Sequence, residues 1–574
     1  MAGVSISQSN NSNLVAPDPA TGLAVEGSRV QESKVAHAYC QRVILLTGAT
    51  GFLGKVLLER LLWDLPNVKE VRLLLRPGSH PSPAARFQSE VLVSPIFSRL
   101  EAHHGGRVAF HDFVQSKIRV FPGDLACDGL GLHSAVYDEL ASGLDLIIHS
   151  AALVSWDERV DRSIQNNTLG SRRMLELARY AKGARLLHIS SAFVHGQRRG
   201  HCPEVLPGHG ACSKSLDVNA EVIAALEFAE KIELESHKPK LSTYFEREAR
   251  LRGATAKQTS MELKVEVEKL RAAWVHKRVA SWGVARARSQ GWWDNYTYSK
   301  ALAESLLAAE CGEVPVAILR PSGITGSIQD PEPGWTDAYL LTEPLIEGVG
   351  KRRITEFPGA PGCIIDTVPV DLVVSVALVV GKSLLQQHSA GKAPLVYQVA
   401  TGDTNPLTLG EIERIWRDHF AERPFRQQSS GVPITGLRPV TFWEDPEAFA
   451  TAYRRRYVRP LQLAQRVVES CPGWERCATL RHFRGAAVRN WRTLEKVLRL
   501  ARLYSSYTLN EWRFQTDNTR AVMEALDEDD RQRYSFEPHR IDWHKFWSEV
   551  HIPGMRRHVL GELDLRVPPS HSRL

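Results

Sequence analysis

The chain has 574 residues, of which 43% are hydrophobic and 24% charged, and its formal net charge is +7. This length exceeds what a single hydrophobic core accommodates, and the composition is that of a soluble globular protein with two or three domains. The positive charge is too small and too dispersed to indicate a nucleic-acid partner, although it suits a polyphosphate ligand, an acidic carrier protein or an anionic membrane surface.

Residues 1–38 are predicted to form a disordered tail, because they are polar and lack the basic start and apolar run of a signal peptide. The longest apolar run, which begins at Leu372, is about half as long as a bilayer-spanning helix. The eight cysteines show no pairing pattern, and Cys471 and Cys477 are spaced too widely for a zinc knuckle. We therefore expect reduced thiols, no metal site and a cytoplasmic location.

From Arg42 onward, short apolar runs alternate with amphipathic helices. Such runs, separated by helices, indicate a parallel sheet covered on both faces. The sequence predicts an α/β fold with a doubly wound, Rossmann-like domain over 39–400 and a smaller, mostly helical C-terminal domain over 401–574. The predicted strands are 42–47, 71–76, 118–121, 145–152, 185–191 and 316–322.

A highly charged segment over about 213–291 interrupts this alternation. Leu263, Val267, Leu270 and Trp274 share one helical face within it. We predict an inserted helical element that serves as a lid or as a wall of the substrate pocket.

A glycine-rich turn joins the first strand to the first helix. Gly48, Gly51 and Gly54 follow Thr47 at three-residue spacing, and an amphipathic helix begins within the turn. Glycines at this place let backbone N–H groups approach a pyrophosphate. The pattern predicts a dinucleotide site, and a tight turn without a ligand is the alternative.

Further cofactor contacts are expected where the next strands end. Arg76 ends the second strand, where an NAD enzyme usually presents an acid, so NADPH is favoured over NADH; a solvated arginine is the alternative. Asp124 is suited to an adenine amino group. Ser150, Ala151 and Ala152 are small enough for a cofactor to pass closely.

The sequence DNYTYSKALAE contains the candidate acid. Tyr296 and Lys300 are four residues apart and share a helical face, whereas Tyr298 points to roughly the opposite side. An ammonium group near a phenol lowers the phenol pKa, which favours Tyr296 as the acid and Tyr298 as a packing residue. Ser190 and Ser191 end the strand RLLHISS, where a hydroxyl can donate to a developing oxyanion.

These residues resemble the extended short-chain dehydrogenase/reductase superfamily. Further motifs narrow the resemblance to the fatty acyl-CoA reductases, in particular the alcohol-forming bacterial kind, over about residues 40 to 560. They are GATGFLGKVLLERLL, LLLRP, HISSAF, YTYSKALAE, ILRPSGITGSIQDPEPGW, DTVPVDLVV and the segment that begins YSSYTLNEWRFQTDN.

The resemblance implies that Tyr296 donates the proton, Lys300 activates it and contacts the ribose, and Ser191 binds the oxyanion. It implies NADPH-dependent reduction of long-chain fatty acyl-CoA to fatty alcohol through an aldehyde, by two hydride transfers. Neither Cys127 nor Cys202 lies in a nucleophile motif, which agrees with direct hydride transfer. The remaining predicted cofactor contacts are Thr47, Thr50, Phe52, Leu53, Leu125, Asn167, Pro321, Ser322 and Ile324.

Several alternatives stay open. The chain could be a reductase, epimerase or dehydratase of a nucleotide sugar or sterol, a reductase of acyl-CoA or acyl carrier protein thioesters that stops at the aldehyde, or an NADPH-binding sensor without turnover. In the C-terminal part, WRTLEKVLRLARLY places Arg492, Lys496 and Arg499 on one face of a helix. Such a helix either contacts a membrane interface peripherally or packs on its own domain. The sequence gives no basis for predicting the oligomeric state.

Overall fold

Seven parallel strands form the central sheet of the computed structural model, which describes residues 33–207, 216–253, 259–387, 391, 393–427, 429–474 and 476–562. The strands are β1 (Val43–Thr47), β2 (Glu70–Leu75), β3 (Ile118–Pro122), β4 (Leu146–His149), β5 (Arg185–Ile189), β6 (Val316–Pro321) and β7 (Leu395–Val399). Their spatial order is β7-β6-β5-β4-β1-β2-β3. Ile44 and Leu46 enter one core, and Val43 and Leu45 enter another, so the sheet is covered on both faces. The predicted doubly wound fold is confirmed.

Six strands lie within two or three residues of their predicted positions. The seventh, β7, is missed because Gln398 interrupts its apolar run. The amide of Gln398 is fully buried and donates to the backbone oxygens of Cys202 (2.8 Å) and Gln515 (2.7 Å). The hydrogen-bond partners of this polar side chain are distant in the sequence, so the local pattern of the strand could not reveal them.

The helices that position the site are α1 (Phe52–Asp64), α2 (Val218–Ser236), α3 (Ser260–Gln290), α4 (Asn295–Glu310), α5 (Val370–Gln386), α6 (Leu409–Glu422), α7 (Arg459–Ser470) and α8 (Ala478–Thr508). The other α-helices are Lys34–Tyr39, Pro83–Arg86, Ser98–His103, Arg107–Lys117, Ser134–Ala141, Val160–Ser163, Leu169–Tyr180, Pro239–Gly253, Glu343–Gly350, Pro446–Tyr453, Asp517–Glu524, Glu528–Arg533, Trp543–Lys545 and Ile552–His558. Short strands pair outside the main sheet at Gly200–Cys202 with Trp512–Phe514, Gly323–Thr325 with Thr367–Pro369, and Glu356–Pro358 with Thr441–Trp443. Within these described ranges, no helix is long and apolar enough to span a membrane.

The charged insertion is helical, as predicted, but its described residues do not line the main cleft of the protein. Instead, α2 and α3 support α4 from behind. The Tyr298 hydroxyl donates to Glu221 at 2.5 Å, and the Asn295 amide donates to the Ala280 backbone oxygen at 3.1 Å. The described residues of the insertion therefore do not form a wall of this cleft, and the lid stays a prediction.

The first and last described segments of the chain both join the main core. The predicted tail over 1–38 is too long, because Lys34–Tyr39 is helical; residues 1–32 lie outside the described part. Ser33 caps this helix, and the Val35 N–H donates to Asp530 at 3.0 Å. One core cluster extends from Val35 to Met555, so the C-terminal part shares it with the sheet.

A fully buried ion pair fixes α4 against the sheet. The Arg320 guanidinium of β6 donates to both Glu304 carboxylate oxygens, with contacts of 2.9, 3.1 and 2.5 Å. Both side chains are at most 1% exposed. Removing one partner of such a pair leaves a buried, unpaired charge.

We expect Glu304→Gln to lower the free energy of unfolding by about 3–5 kcal/mol, measured by chemical denaturation. The matched control is Glu528→Ala, which removes an exposed pair with Arg531 and should cost under about 1 kcal/mol. Equal, small effects of the two substitutions would contradict this role.

Candidate active site

The turn after β1 requires glycine at two positions. Gly48 has φ of +81°, and a Cβ there would lie 2.7 Å from the Ala151 backbone nitrogen. A Cβ on Gly54 would lie 2.0 Å from the Gly48 backbone oxygen. The turn therefore packs its backbone directly against the loop after β4 and leaves the N-terminus of α1 open toward a cleft, as pyrophosphate binding requires.

A cleft of about 410 Å³ lies at the carboxyl ends of the strands, beside the point where the strand order reverses between β4 and β1. Most of the predicted site residues line it. They are Gly48, Thr50, Gly51, Phe52, Leu53, Gly54, Arg76, Asp124, Leu125, Ser150, Ala151, Ala152, Ser191, Tyr296, Lys300, Pro321, Ser322 and Ile324.

Two predicted cofactor contacts do not line the cleft and act instead on its loops. The Thr47 hydroxyl accepts from the Ala151 N–H (3.1 Å) and lies 2.8 Å from His149 Nδ1. The Asn167 amide bonds the Leu153 backbone N–H (2.8 Å) and oxygen (3.1 Å). Both residues are about 1% exposed, and their polar groups are hydrogen-bonded to the backbone of the loops.

The catalytic candidates converge at the inner end of the cleft. Tyr296 and Ser191 both line the cleft there, with the Ser191 hydroxyl beside the Tyr296 phenol. Lys300, one turn further along α4, donates from Nζ to the Ile189 backbone oxygen at 2.6 Å. Asp294 caps the helix by accepting from the Thr297 N–H at 2.8 Å. The packing role predicted for Tyr298 is confirmed, since its hydroxyl bonds Glu221 and its ring packs on Trp292.

The electrostatics differ from the expectation at one point. Burial and the nearby Asp294 raise the pKa of Tyr296 above its usual value, and the Ser191 hydroxyl opposes them. Burial also lowers the pKa of Lys300 to about 8, against the influence of Glu304. The expected lowering of the phenol pKa is not met, because burial is the largest influence on it. The arrangement keeps the phenol protonated, which is the form that donates a proton.

Several residues of the cleft were not predicted from the sequence. Arg86 lies beside the glycine turn and donates to the Arg76 backbone oxygen at 3.1 Å; a second arginine ten residues after Arg76 was a usable signal. Tyr507 closes the opposite side, and its hydroxyl donates to Asp294 at 2.8 Å. No local pattern could link α8 to a residue more than two hundred positions earlier. Phe193, Trp156, Leu341 and Glu343 also line the cleft.

The glycine turn and the Ser–Tyr–Lys cluster at the edge of a parallel sheet define a dinucleotide-dependent reductase of the short-chain dehydrogenase/reductase type. A family profile described as "Male sterility protein", with an NAD-binding domain, matches residues 46–377, and a second profile with the same description matches residues 477–562. The chain belongs to this family.

The curated relatives agree with this assignment. Fatty acyl-CoA reductase 2 of Arabidopsis thaliana, a chloroplastic protein, is 29% identical over 90% of this chain and 78% of its own length. The alcohol-forming fatty acyl-CoA reductase of Simmondsia chinensis is 28% identical over 90% of this chain and 97% of its own. These names support membership of the fatty acyl-CoA reductases, and the narrower bacterial kind stays a prediction.

A solved structure supports the fold alone. The terminal R domain of the myxalamid PKS-NRPS pathway is 16% identical, with a TM-score of 0.52, and the match covers 90% of this chain and 91% of that domain.

We expect Tyr296→Phe to lower kcat by about a hundredfold or more, because it removes the proton donor, while cofactor affinity is kept. Tyr298→Phe is the matched control, since its hydroxyl faces Glu221 rather than the cleft, and it should retain activity. Steady-state kinetics and a cofactor titration measure both effects. Full activity of Tyr296→Phe would exclude Tyr296 as the acid.

Proposed function

We propose that the protein uses NADPH to reduce long-chain fatty acyl-CoA to fatty alcohol through an aldehyde. The observation that carries the proposal is that Tyr296, Ser191 and Lys300 lie together in a cleft that begins at the glycine turn. The turn can hold a pyrophosphate, because it lines the cleft at the N-terminus of α1, where glycines leave backbone N–H groups open to an anion. When bound, the reduced nicotinamide supplies a hydride to the carbonyl carbon.

The side chains of the protein then control charge and protons. Ser191 donates to the carbonyl oxygen as negative charge develops on it, and Tyr296 transfers its proton to that oxygen. The hemithioacetal returns its hydroxyl proton to the Tyr296 phenolate and expels the CoA thiolate, which leaves readily because thiol pKa values are about 8.5. The aldehyde occupies the same position, and the same hydroxyls serve its reduction to the alcohol by a second NADPH. None of the described residues that line the cleft is a cysteine, in agreement with direct transfer to the thioester.

Two arginines support the choice of NADPH. The Arg76 side chain is half exposed at the cleft rim and lies 3.8 Å from Asp124. Arg86 lies within 3.5 Å of the Thr50 hydroxyl on the glycine turn. Two guanidinium groups at the end of β2 suit a 2′-phosphate, which accepts bidentate hydrogen bonds.

We expect Arg76→Ala/Arg86→Ala to raise the KM for NADPH by about tenfold or more and to leave the KM for NADH within about twofold. Initial rates with each cofactor provide the measurement. Arg107→Ala, an exposed arginine outside the cleft, is the control. An unchanged KM for NADPH would count against a 2′-phosphate site here.

The reaction itself is tested by incubating the purified protein with NADPH and palmitoyl-CoA and identifying products by chromatography. We expect hexadecanol, with two NADPH consumed for each alcohol formed. Aldehyde with one NADPH would support the aldehyde-forming alternative. NADPH binding without consumption would support the alternative of a sensor without turnover. Activity confined to acyl carrier protein thioesters would show that the substrate is an acyl carrier protein thioester rather than acyl-CoA.

We also propose that the protein works in the cytoplasm at an anionic membrane surface, through the helical hairpin of α7 and α8. The apolar residues of the segment WRTLEKVLRLARLY are not available for this contact, because Val497, Leu498 and Ala501 are buried in the core of the protein. The exposed apolar residues of the hairpin lie closer to its tip, where Leu463, Val467 and Phe483 are each more than half exposed.

The positive charge of the chain is concentrated in the same hairpin. Residues 459–508, which span the hairpin, carry ten Lys or Arg and three Asp or Glu, so their net charge alone equals the +7 of the whole chain. Basic residues around exposed apolar side chains are typical of helices that lie in a lipid interface.

We expect the protein to sediment with vesicles that contain phosphatidylglycerol and not with phosphatidylcholine vesicles alone, because the arginines attract anionic headgroups. Leu463→Ser/Val467→Ser/Phe483→Ser should reduce sedimentation, whereas Val108→Ser, at an exposed valine elsewhere, should not. If both variants sediment with the anionic vesicles to the same extent, the hairpin is not the membrane contact.

A further inference from the structure

The segment 327–342 follows β6 and the short strand Gly323–Thr325, and it lies against the glycine turn. The ring of Trp335 stacks on the ring of Phe52, with centroids 5.4 Å apart and 21° between the ring planes. Phe52 is the first residue of α1 and lines the cleft. Three later residues of the segment line the same cleft: Ala338, Leu340 and Leu341. The segment therefore runs from the glycine turn into the cleft.

The start of this segment has a fixed position. The backbone N–H groups of Ile328, Gln329 and Asp330 donate to the Asp371 carboxylate at 3.0, 2.8 and 3.0 Å. Asp371 lies in the first turn of α5 and is 4% exposed. The Asp330 carboxylate also pairs with Arg99 at 2.7 Å. Because three backbone groups share one buried carboxylate, the segment is anchored where it leaves the sheet.

The C-terminal part contacts the segment from another side. A Cβ on Gly554, in the helix Ile552–His558, would lie 1.9 Å from the Gly334 backbone oxygen, so the two backbones are in direct contact. The next residue of the segment, Trp335, is 1% exposed and stacks on Phe52. A helix of the C-terminal part is thus connected to the glycine turn through two consecutive residues of the segment.

An ion pair joins the following part of the segment to α1. Lys55 Nζ lies 2.5 Å from an Asp337 carboxylate oxygen, and the two side chains are 13% and 30% exposed. Lys55 is three residues after Phe52 in the first turns of α1, the helix whose N-terminus faces the pyrophosphate position. The pair therefore holds the segment beside the part of the cleft where the phosphates of a dinucleotide would lie.

We propose that Trp335 and Asp337 are positioning residues for the cofactor, which hold the segment 327–342 against the glycine turn so that the dinucleotide is retained at the N-terminus of α1. The inference rests on the proposed function for the identity of the cofactor. Trp335 acts through Phe52, and Asp337 acts through Lys55. Because the proposed reaction uses two NADPH in succession at one site, NADP⁺ has to leave between the two hydride transfers, and the segment limits the rate of that exchange.

The ion pair is tested with Asp337→Asn, which removes the charge at nearly constant side-chain size. The readouts are the Kd and the dissociation rate of NADPH, followed by its fluorescence, and the KM for palmitoyl-CoA. We expect the Kd and the dissociation rate to rise about threefold, as the loss of a partly exposed ion pair implies, and the KM to stay within about twofold. The control is Glu469→Gln, which breaks a similarly exposed pair with Arg484 and should change none of the three values.

Direct electrostatics predicts the opposite result for Asp337→Asn. Removing an anion near the phosphates of NADPH would, by itself, tighten binding of the cofactor. A lower or unchanged Kd for NADPH in Asp337→Asn would therefore overturn the proposal.

The ring stack is tested with Trp335→Leu, which removes it, and with Trp335→Phe, which keeps an aromatic ring against Phe52. We expect the Kd for NADPH to rise about fivefold or more in Trp335→Leu and to stay within about twofold in Trp335→Phe, because the aromatic contact is what holds the turn. The control is Trp543→Leu, which removes a buried tryptophan that does not line the cleft and should leave the Kd unchanged.

Equal losses of NADPH affinity in Trp335→Leu and Trp543→Leu, or in Trp335→Leu and Trp335→Phe, would overturn the role of the stack. If Trp335→Leu does not fold, the result for Asp337→Asn decides the proposal. If the unaltered protein does not bind NADPH, the proposed function itself fails, which distinguishes that failure from the failure of this inference.

Discussion

The buried ion pair between Glu304 and Arg320 is the constraint on which the site depends, because it fixes α4 to β6. That helix carries Tyr296 and Lys300, and three further contacts define its position. Lys300 bonds the end of β5, Tyr298 bonds the insertion through Glu221, and Asp294 bonds Tyr507 of the C-terminal part. The insertion and the C-terminal part thus both help to position α4, the helix that carries the acid Tyr296.

The same burial sets the protonation states of the site. A phenol whose pKa is raised by burial and by Asp294 stays protonated at neutral pH, and a proton donor is what carbonyl reduction consumes. A lysine with a pKa of about 8 keeps most of its charge at neutral pH. The same protonated hydroxyl can serve the thioester and then the aldehyde, once the phenol regains its proton.

The features that the sequence predicted are those that local chemistry determines. Apolar runs located six strands, glycine spacing located the turn at Gly48, and helical spacing separated Tyr296 from Tyr298. The failures involve long-range contacts. Gln398 in β7 is paired with distant backbone, Thr47 and Asn167 hold loops rather than line the cleft, and Tyr507 reaches the site from α8. Helical spacing also could not predict the direction of the Tyr296 pKa shift, because burial determines that direction.

The central claim is that one site, with Tyr296 as its acid, directs two successive hydride transfers to the same carbon. The most direct measurement is mass spectrometry of the alcohol formed from palmitoyl-CoA and NADPH that is deuterated at both C4 positions. The account predicts an alcohol with two deuterium atoms on the carbon that bears the hydroxyl group. An alcohol with one deuterium atom or none on that carbon would contradict it.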